Sequence, residues 1–280
     1  MLIAAYVINL DISKERLDLI TSQLDALGIA FERIAAFDGR KLDLTMVDDY
    51  DAVRAMQYMG RGLVGGEIGC FRSHLSVAER FLASDACYAL VLEDDARLLC
   101  NPLELLAEAL PDLEAKDPDW LLMNIGNNKL KYASSLSRYD VDGHTYMLAA
   151  AHYFPMTTSA IVWSREGARR FVEEHRSIFA PVDNYFRYWL TREGHGYSFW
   201  PAPVSTIGSE SIIDASGSAY RQKNHRKWNY GFLRQKRFVK EKLIALRKKW
   251  QFRIRHGFSL ALHPKIIQQA PHQSQPSPGP

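Results

Sequence analysis

Four apolar residues, Ala89-Leu90-Val91-Leu92, run directly into three consecutive acids, Glu93-Asp94-Asp95. The apolar run is short and rich in Val and Leu, so it reads as a buried strand. Three acids cannot share a core, because each unpaired buried charge costs several kcal/mol or more. The triplet must lie where a strand leaves its sheet, and something positive must meet it. In open α/β sheets that edge is where ligands bind. A hard divalent cation carrying a phosphate ligand would neutralise such a cluster. The plainer alternative is a solvated acidic turn.

A chain of 280 residues buries a substantial core, as one large domain or two small ones. At 47% hydrophobic and 24% charged residues its composition is that of a soluble globular protein. No window reaches the roughly eighteen continuous apolar residues of a membrane span. The apolar start, Leu2 to Ile8, is too short for that. It lacks the basic leader of a signal peptide and reads as the first strand. Cys70, Cys87 and Cys100 show no CxxC spacing, which argues against a disulfide framework or a zinc site and suits a reducing compartment.

The first half alternates strand and helix patterns. Ser13 precedes a helix with Leu17, Ile20, Leu24 and Leu27 at helical spacing, and Gly28 stops it. Phe31 to Ala36 reads as a second strand ending at Asp38-Gly39. The glycine-rich stretch Gly60–Gly66 reads as a flexible loop, since it has neither GxGxxG nor a Walker Lys-Ser/Thr. Glu67 to Ala83 is helical, and Asn101-Pro102-Leu103-Glu104 is a strong helix start. Further strands fall at Trp120–Ile125, Tyr146–Ala151, Ala160–Trp163 and Tyr197–Trp200. This order predicts a mostly parallel central sheet flanked by helices.

Four segments together resemble the glycosyltransferase family 25 enzymes of bacterial lipopolysaccharide and lipooligosaccharide synthesis. They are Val7-Ile8-Asn9-Leu10-Asp11 with Glu15-Arg16, Phe31 to Gly39, Gly66 to Leu75, and Val91 to Asp95. A weaker match follows at Pro181-Val182-Asp183. The resemblance implies a GT-A-like nucleotide-diphospho-sugar transferase fold and a UDP-sugar donor, best matched by galactose. It also implies inversion at the transferred sugar and a divalent metal, Mn²⁺ before Mg²⁺. It places Asn9 and Arg16 against the uridine and diphosphate. The implied acceptor is a lipid-linked oligosaccharide, met in the cytoplasm on the inner face of the inner membrane.

Glycosyl transfer leaves negative charge on a departing diphosphate, and a cation held by carboxylates stabilises it. On this reading Asp95 is the main metal ligand, Glu93 a second ligand or a ribose contact, and Asp94 a donor-side group. Inversion needs a base on the opposite face, and Asp183 is the candidate; a helix N-cap is its ordinary role. Asp38 and Gly39 would hold the ribose or base, or form a plain tight turn. Ser73 and His74 would contact donor or acceptor, or pack as buried polar groups. Tyr185, Tyr188 and Trp189 would stack on a sugar face or, as their helical spacing favours, pack in the core.

Between Arg221 and His256 there are 14 Lys or Arg and one acid, Glu241, leaving 21 basic and 31 acidic residues elsewhere. The chain divides into a catalytic body (1–220), a basic amphipathic helical segment (221–262) and a Pro/Ser/Gln-rich tail (263–280). Interleaved aromatic and basic residues in 221–256 suit an anionic membrane surface and would also suit nucleic-acid phosphates. The resemblance, with its lipid-anchored acceptor, implies the membrane with no nucleic acid expected, and a helix packed on the acidic body is the alternative. Two other functions compete: a metal-dependent phosphohydrolase and a non-enzymatic basic-tail binding protein. Neither has a motif of its own here.

Overall fold

The computed structural model describes residues 2–174, 177–207 and 229–256. The chain begins with β1 (Ile3–Asn9), α1 (Lys14–Ala26) and β2 (Glu32–Ala35). It continues through α2 (Ala52–Tyr58), α3 (Gly65–Leu82), β3 (Tyr88–Glu93), β4 (Ala96–Leu98) and α4 (Pro102–Lys116). Then come β5 (Leu122–Asn124), β6 (Lys131–Val141), β7 (His144–Tyr153), β8 (Ala160–Ser164) and α5 (Arg165–Glu174). Last are α6 (Val182–Glu193), β9 (Gly196–Trp200), β10 (Val204–Thr206) and α7 (Tyr230–His256). The expected domain boundary at 220 and the tail from 263 lie outside the described residues.

Eight strands form one sheet in the order β2-β1-β3-β8-β5-β9-β7-β6, and β10 pairs with β4 beside it. Six of the eight run the same way. The two reversed strands, β8 and β7, make the pairings β3–β8, β5–β8, β7–β9 and β6–β7 antiparallel. The sheet is therefore mixed in its hydrogen bonding and largely parallel in direction.

Side-chain alternation sorts the central strands into two cores. Tyr6, Ile8, Ala89 and Val91 face the layer that holds α3, α5 and α6. Ala5, Val7, Leu90 and Leu92 face the layer that holds α1 and α4. Strands buried on both faces read as unbroken apolar runs, which is why β1 and β3 are plain in the sequence. In the first layer Trp163 stacks on Phe171 at 5.3 Å, with Phe186 and Trp189 around them. Tyr185 and Trp189 are buried there, so they are core residues and not a sugar platform. Each such side chain contributes about 1.5–3 kcal/mol on burial.

The long hairpin β6–β7 has only its second strand in the sequence reading. Its turn, Asp142-Gly143, has positive φ at both residues, as two-residue hairpin turns favour. A register shift between Ser135 and Ser137 breaks the alternation in β6 and hides the strand.

Helix α7 packs along α6, β7 and β6. Glu241 and Ala245 are buried in that contact. Glu241 accepts a short hydrogen bond from the Tyr58 hydroxyl, and Lys248 donates to the Glu193 carbonyl at 2.9 Å. The described part of the basic segment, α7, thus lies on the body.

Candidate active site at the carboxyl edge of the sheet

Parallel pairing of β1 with β3 sets Ile8 beside Glu93, so both strands end at one edge. There the acidic triplet is pinned through its backbone. The Glu93 amide donates to Ser159, the Asp94 amide donates to Ile8, and the Ile207 amide donates to the Asp95 carbonyl, at 2.9, 3.1 and 2.8 Å.

The three carboxylates have different partners. Glu93 Oε1 accepts from Thr158 Oγ1 at 2.6 Å and lies 3.2 Å from His74 Nε2. Burial opposes its charge, but the hydrogen bonds from His74 and Thr158 hold its carboxyl below the usual range. Asp94 accepts from Asn9 Nδ2 at 2.8 Å and pairs with Arg16 at 2.7 Å, yet burial still raises it. Asp95 shares Arg16 at 3.2 Å through Oδ2, while its Oδ1 is buried without a partner. Burial, reinforced by the Glu93 charge, pushes Asp95 up to about 6.

One guanidinium therefore serves two carboxylates, Glu93 is held by His74 and Thr158, and one buried carboxylate oxygen has no donor. A divalent cation fits that deficit in charge and in coordination. Asp95 and Glu93 offer the oxygens a hard ion takes. Cys70, His74 and Glu93 also bring ligand atoms within 4.8 Å of one another, a set suited to a softer ion. Cys70 has no place among the residues singled out from the sequence. Its i,i+4 spacing to His74 on α3 was the available signal.

A cavity opens on the triplet. Arg16, Asp38, Gly39, Ser73 and His74 line it with the three acids, as do Arg40 and Gly66. Asn9 is 1% exposed, and its amide is spent on Asp94 and on the Ser13 carbonyl. It positions an acid and Arg16's helix, and does not line the cavity. Ser73 is likewise spent: it donates to the Gly69 carbonyl and accepts from the Phe37 amide, each at 2.8 Å. Asp38 holds the amide and guanidinium of Arg40, which brings a cation to the cavity wall that sequence reading passed over.

Glycines set the wall behind Asp38. A Cβ on Gly39 would stand 1.8 Å from the Gly65 carbonyl oxygen, and one on Gly69 2.3 Å from the Phe37 carbonyl oxygen. The loop after β2 thus lies directly against the first turns of α3. Gly65 and Gly66 are the opening turn of that helix, and the flexible loop expected over Gly60–Gly66 ends at Val64. At Gly65 it is close approach of two backbones, not flexibility, that demands a glycine.

Asp183 is in the first turn of α6, and the N-cap is Pro181. Its Oδ1 accepts from the Asn184 amide and side chain at 2.6 and 2.9 Å. The N-cap reading is thereby overturned. Burial raises its carboxyl, against the hydrogen bonds from Asn184 and the Arg187 charge, which lower it. The Cys70 thiol, half-buried in the cavity wall, is pushed up first by desolvation and then by Glu93, Asp183, Glu67 and Asp95. Asp183 is not among the residues that line the cavity.

Fold and site define an α/β protein with a carboxylate-rich cavity at the carboxyl edge of its sheet. The profile described as Glycosyltransferase family 25 (LPS biosynthesis protein) matches residues 2–186, and the chain belongs to that family. It is 27% identical over 218 residues to the probable inactive glycosyltransferase 25 family member 3 of Bos taurus, covering 75% of this chain and 36% of the relative. It is 31% identical over 185 residues to a glycosyltransferase 25 family member of Aedes aegypti, covering 64% and 30%. Procollagen galactosyltransferase 2 of Mus musculus is 29% identical over 130 residues, covering 45% and 21%. The chain spans about a third or less of these relatives' length. Among solved structures, a glycosyltransferase involved in glycosylation of the major capsid of PBCV-1 aligns with a TM-score of 0.38 and 10% identity, over 79% of this chain and 100% of that one.

Proposed function

We propose that the protein is an inverting, metal-assisted glycosyltransferase of GT-A type that moves a hexose, galactose first, from a UDP-sugar to an oligosaccharide acceptor. The observation that carries this is the unpartnered, buried Asp95 Oδ1 beside an Asp94–Asp95 pair that shares one arginine. Asp95 and Glu93 would hold the ion, Mn²⁺ before Mg²⁺. When bound, it supplies Lewis-acid stabilisation of the leaving diphosphate. Arg16 and Arg40 add positive charge on the diphosphate side. Asp38 and Gly39 shape the nucleoside end of the cavity. Asp183, kept proton-hungry by burial, takes the proton of the attacking acceptor hydroxyl.

The outer face of α7 supports docking on an anionic membrane that presents a lipid-linked acceptor. Val239, Leu243, Leu246, Trp250 and Ile254 recur at spacings of four, three, four and four, and all are exposed. Lys236, Arg247 and Arg253 flank that stripe, and apolar area with flanking cations is what such a surface binds. No described helix is long and apolar enough to cross a membrane.

The test is product analysis. UDP-galactose with Mn²⁺ should yield UDP only when an oligosaccharide acceptor is added. Release of free phosphate without an acceptor would instead establish a phosphohydrolase.

A further inference from the structure

A second cleft, of about 540 Å³, lies beside the acidic cavity and is opposite in charge. Lys129, Lys131, Arg187 and Lys242 line it, and no carboxylate is among its described lining residues. Its other walls include the loop that leaves β5 and the Phe238 ring of α7. Lys129, Lys131 and Lys242 are exposed and enter none of the described ion pairs. Arg187 is fixed: its Nε donates to the Phe154 carbonyl at 2.8 Å, and its guanidinium lies 4.4 Å from the Tyr153 ring centre.

Three short paths join this cleft to the acidic site. Thr157 lines the cleft, and the next residue, Thr158, donates to Glu93. Thr206 lines the cleft, and the next residue, Ile207, donates to the Asp95 carbonyl. Arg187 lines the cleft, and Asp183 precedes it by one turn of α6 on the same helix face. The basic cleft is therefore built on the same chain segments that hold Glu93 and Asp95 and on the helix that carries Asp183.

We infer that the basic cleft is the acceptor subsite, and that it takes a saccharide bearing an anionic group, a phosphate or a carboxylate. This rests on the glycosyltransferase reading given above. Four cations without a lining acid attract an anion and reject a cationic or purely apolar acceptor. An acidic cavity next to them would repel the same anion, so the charge pattern orients the acceptor with its anion away from the triplet. Helix α7 completes the cleft through Phe238 and Lys242, which gives the packed basic helix a part in acceptor recognition.

The experiment compares wild type with the triple variant Lys129→Gln, Lys131→Gln, Lys242→Gln. Binding of galactose 6-phosphate, glucuronic acid and galactose is measured by NMR titration, and UDP binding with Mn²⁺ by calorimetry. In wild type at least one of the two anionic sugars should bind more tightly than galactose, and which one does identifies phosphate or carboxylate. The variant should lose about tenfold of that affinity and keep its UDP affinity. Equal binding of all three sugars, or anionic binding unchanged in the variant, overturns the inference. Loss of UDP binding in the variant also overturns it, because the cleft would then belong to the donor site. Wild type that binds no UDP with Mn²⁺ would count against the glycosyltransferase reading itself.

Discussion

Arg16 and Asn9 decide what each acid of the triplet can do. Together they satisfy Asp94, which leaves Asp95 with a buried oxygen that no donor meets. Asp183 divides from them in role: it stands outside the cavity lining, in the first turn of α6, one turn before Arg187. Asp183→Asn keeps shape and hydrogen-bonding capacity but removes the base. Its kcat should fall about a hundredfold or more, with KM for the donor and the melting temperature little changed; an unaltered kcat would remove Asp183 from the mechanism. Gly39 tests the wall. Because its Cβ would meet backbone and not a pliable side chain, Gly39→Ala should cost about 3 kcal/mol in denaturant unfolding. A cost under about 0.5 kcal/mol would show that the loop moves away freely.

At the scale of elements, β1, β3 and α3 were legible because burial on both strand faces and helical spacing leave strong patterns. The acidic triplet was legible for the same reason: a buried run that ends in charge can only end at an edge. The β6–β7 hairpin was not, since Ser, Arg and Asp interrupt β6 and its alternation shifts at a bulge. Asn9 and Ser73 read as donor contacts, yet their hydrogen bonds point inward. The basic cleft was illegible because it joins residues from 126 to 242, which no local pattern connects. Helix α7 has two faces with separate tests. Its inner face walls the cleft, so truncation disturbs more than membrane binding. Its outer face is probed alone by Leu243→Ser with Trp250→Ser, both exposed. Binding to phosphatidylglycerol vesicles should weaken about tenfold with a melting temperature within about 2 °C of wild type. Unchanged vesicle binding would assign the stripe another partner.

The whole molecule is an acidic body braced by a basic helix, and that contact predicts a loss of stability in acid. His152 is buried against Phe252, bonded to Ser134 at 3.0 Å, and faces Lys248, Lys249 and Arg253. Burial first, then those cations, depress it to about 3. Above pH 6.5 it is neutral folded or unfolded and contributes no slope. As pH falls below 6.5 the unfolded chain takes up a proton that the folded chain refuses, so stability is lost down to about pH 3. The loss from this group is about 2 kcal/mol by pH 5. His152→Gln should flatten the stability profile between pH 6.5 and 5; a slope equal to that of wild type would place the acid sensitivity elsewhere.

The central claim is that the acid triplet grips a dication which in turn holds a nucleoside diphosphate. Calorimetric titration of UDP into wild type and Asp95→Asn, each with Mn²⁺ and with EDTA, tests it most directly. The expected result is UDP binding by wild type only when Mn²⁺ is present, and none by a folded Asp95→Asn. UDP binding that survives both EDTA and the substitution would contradict it.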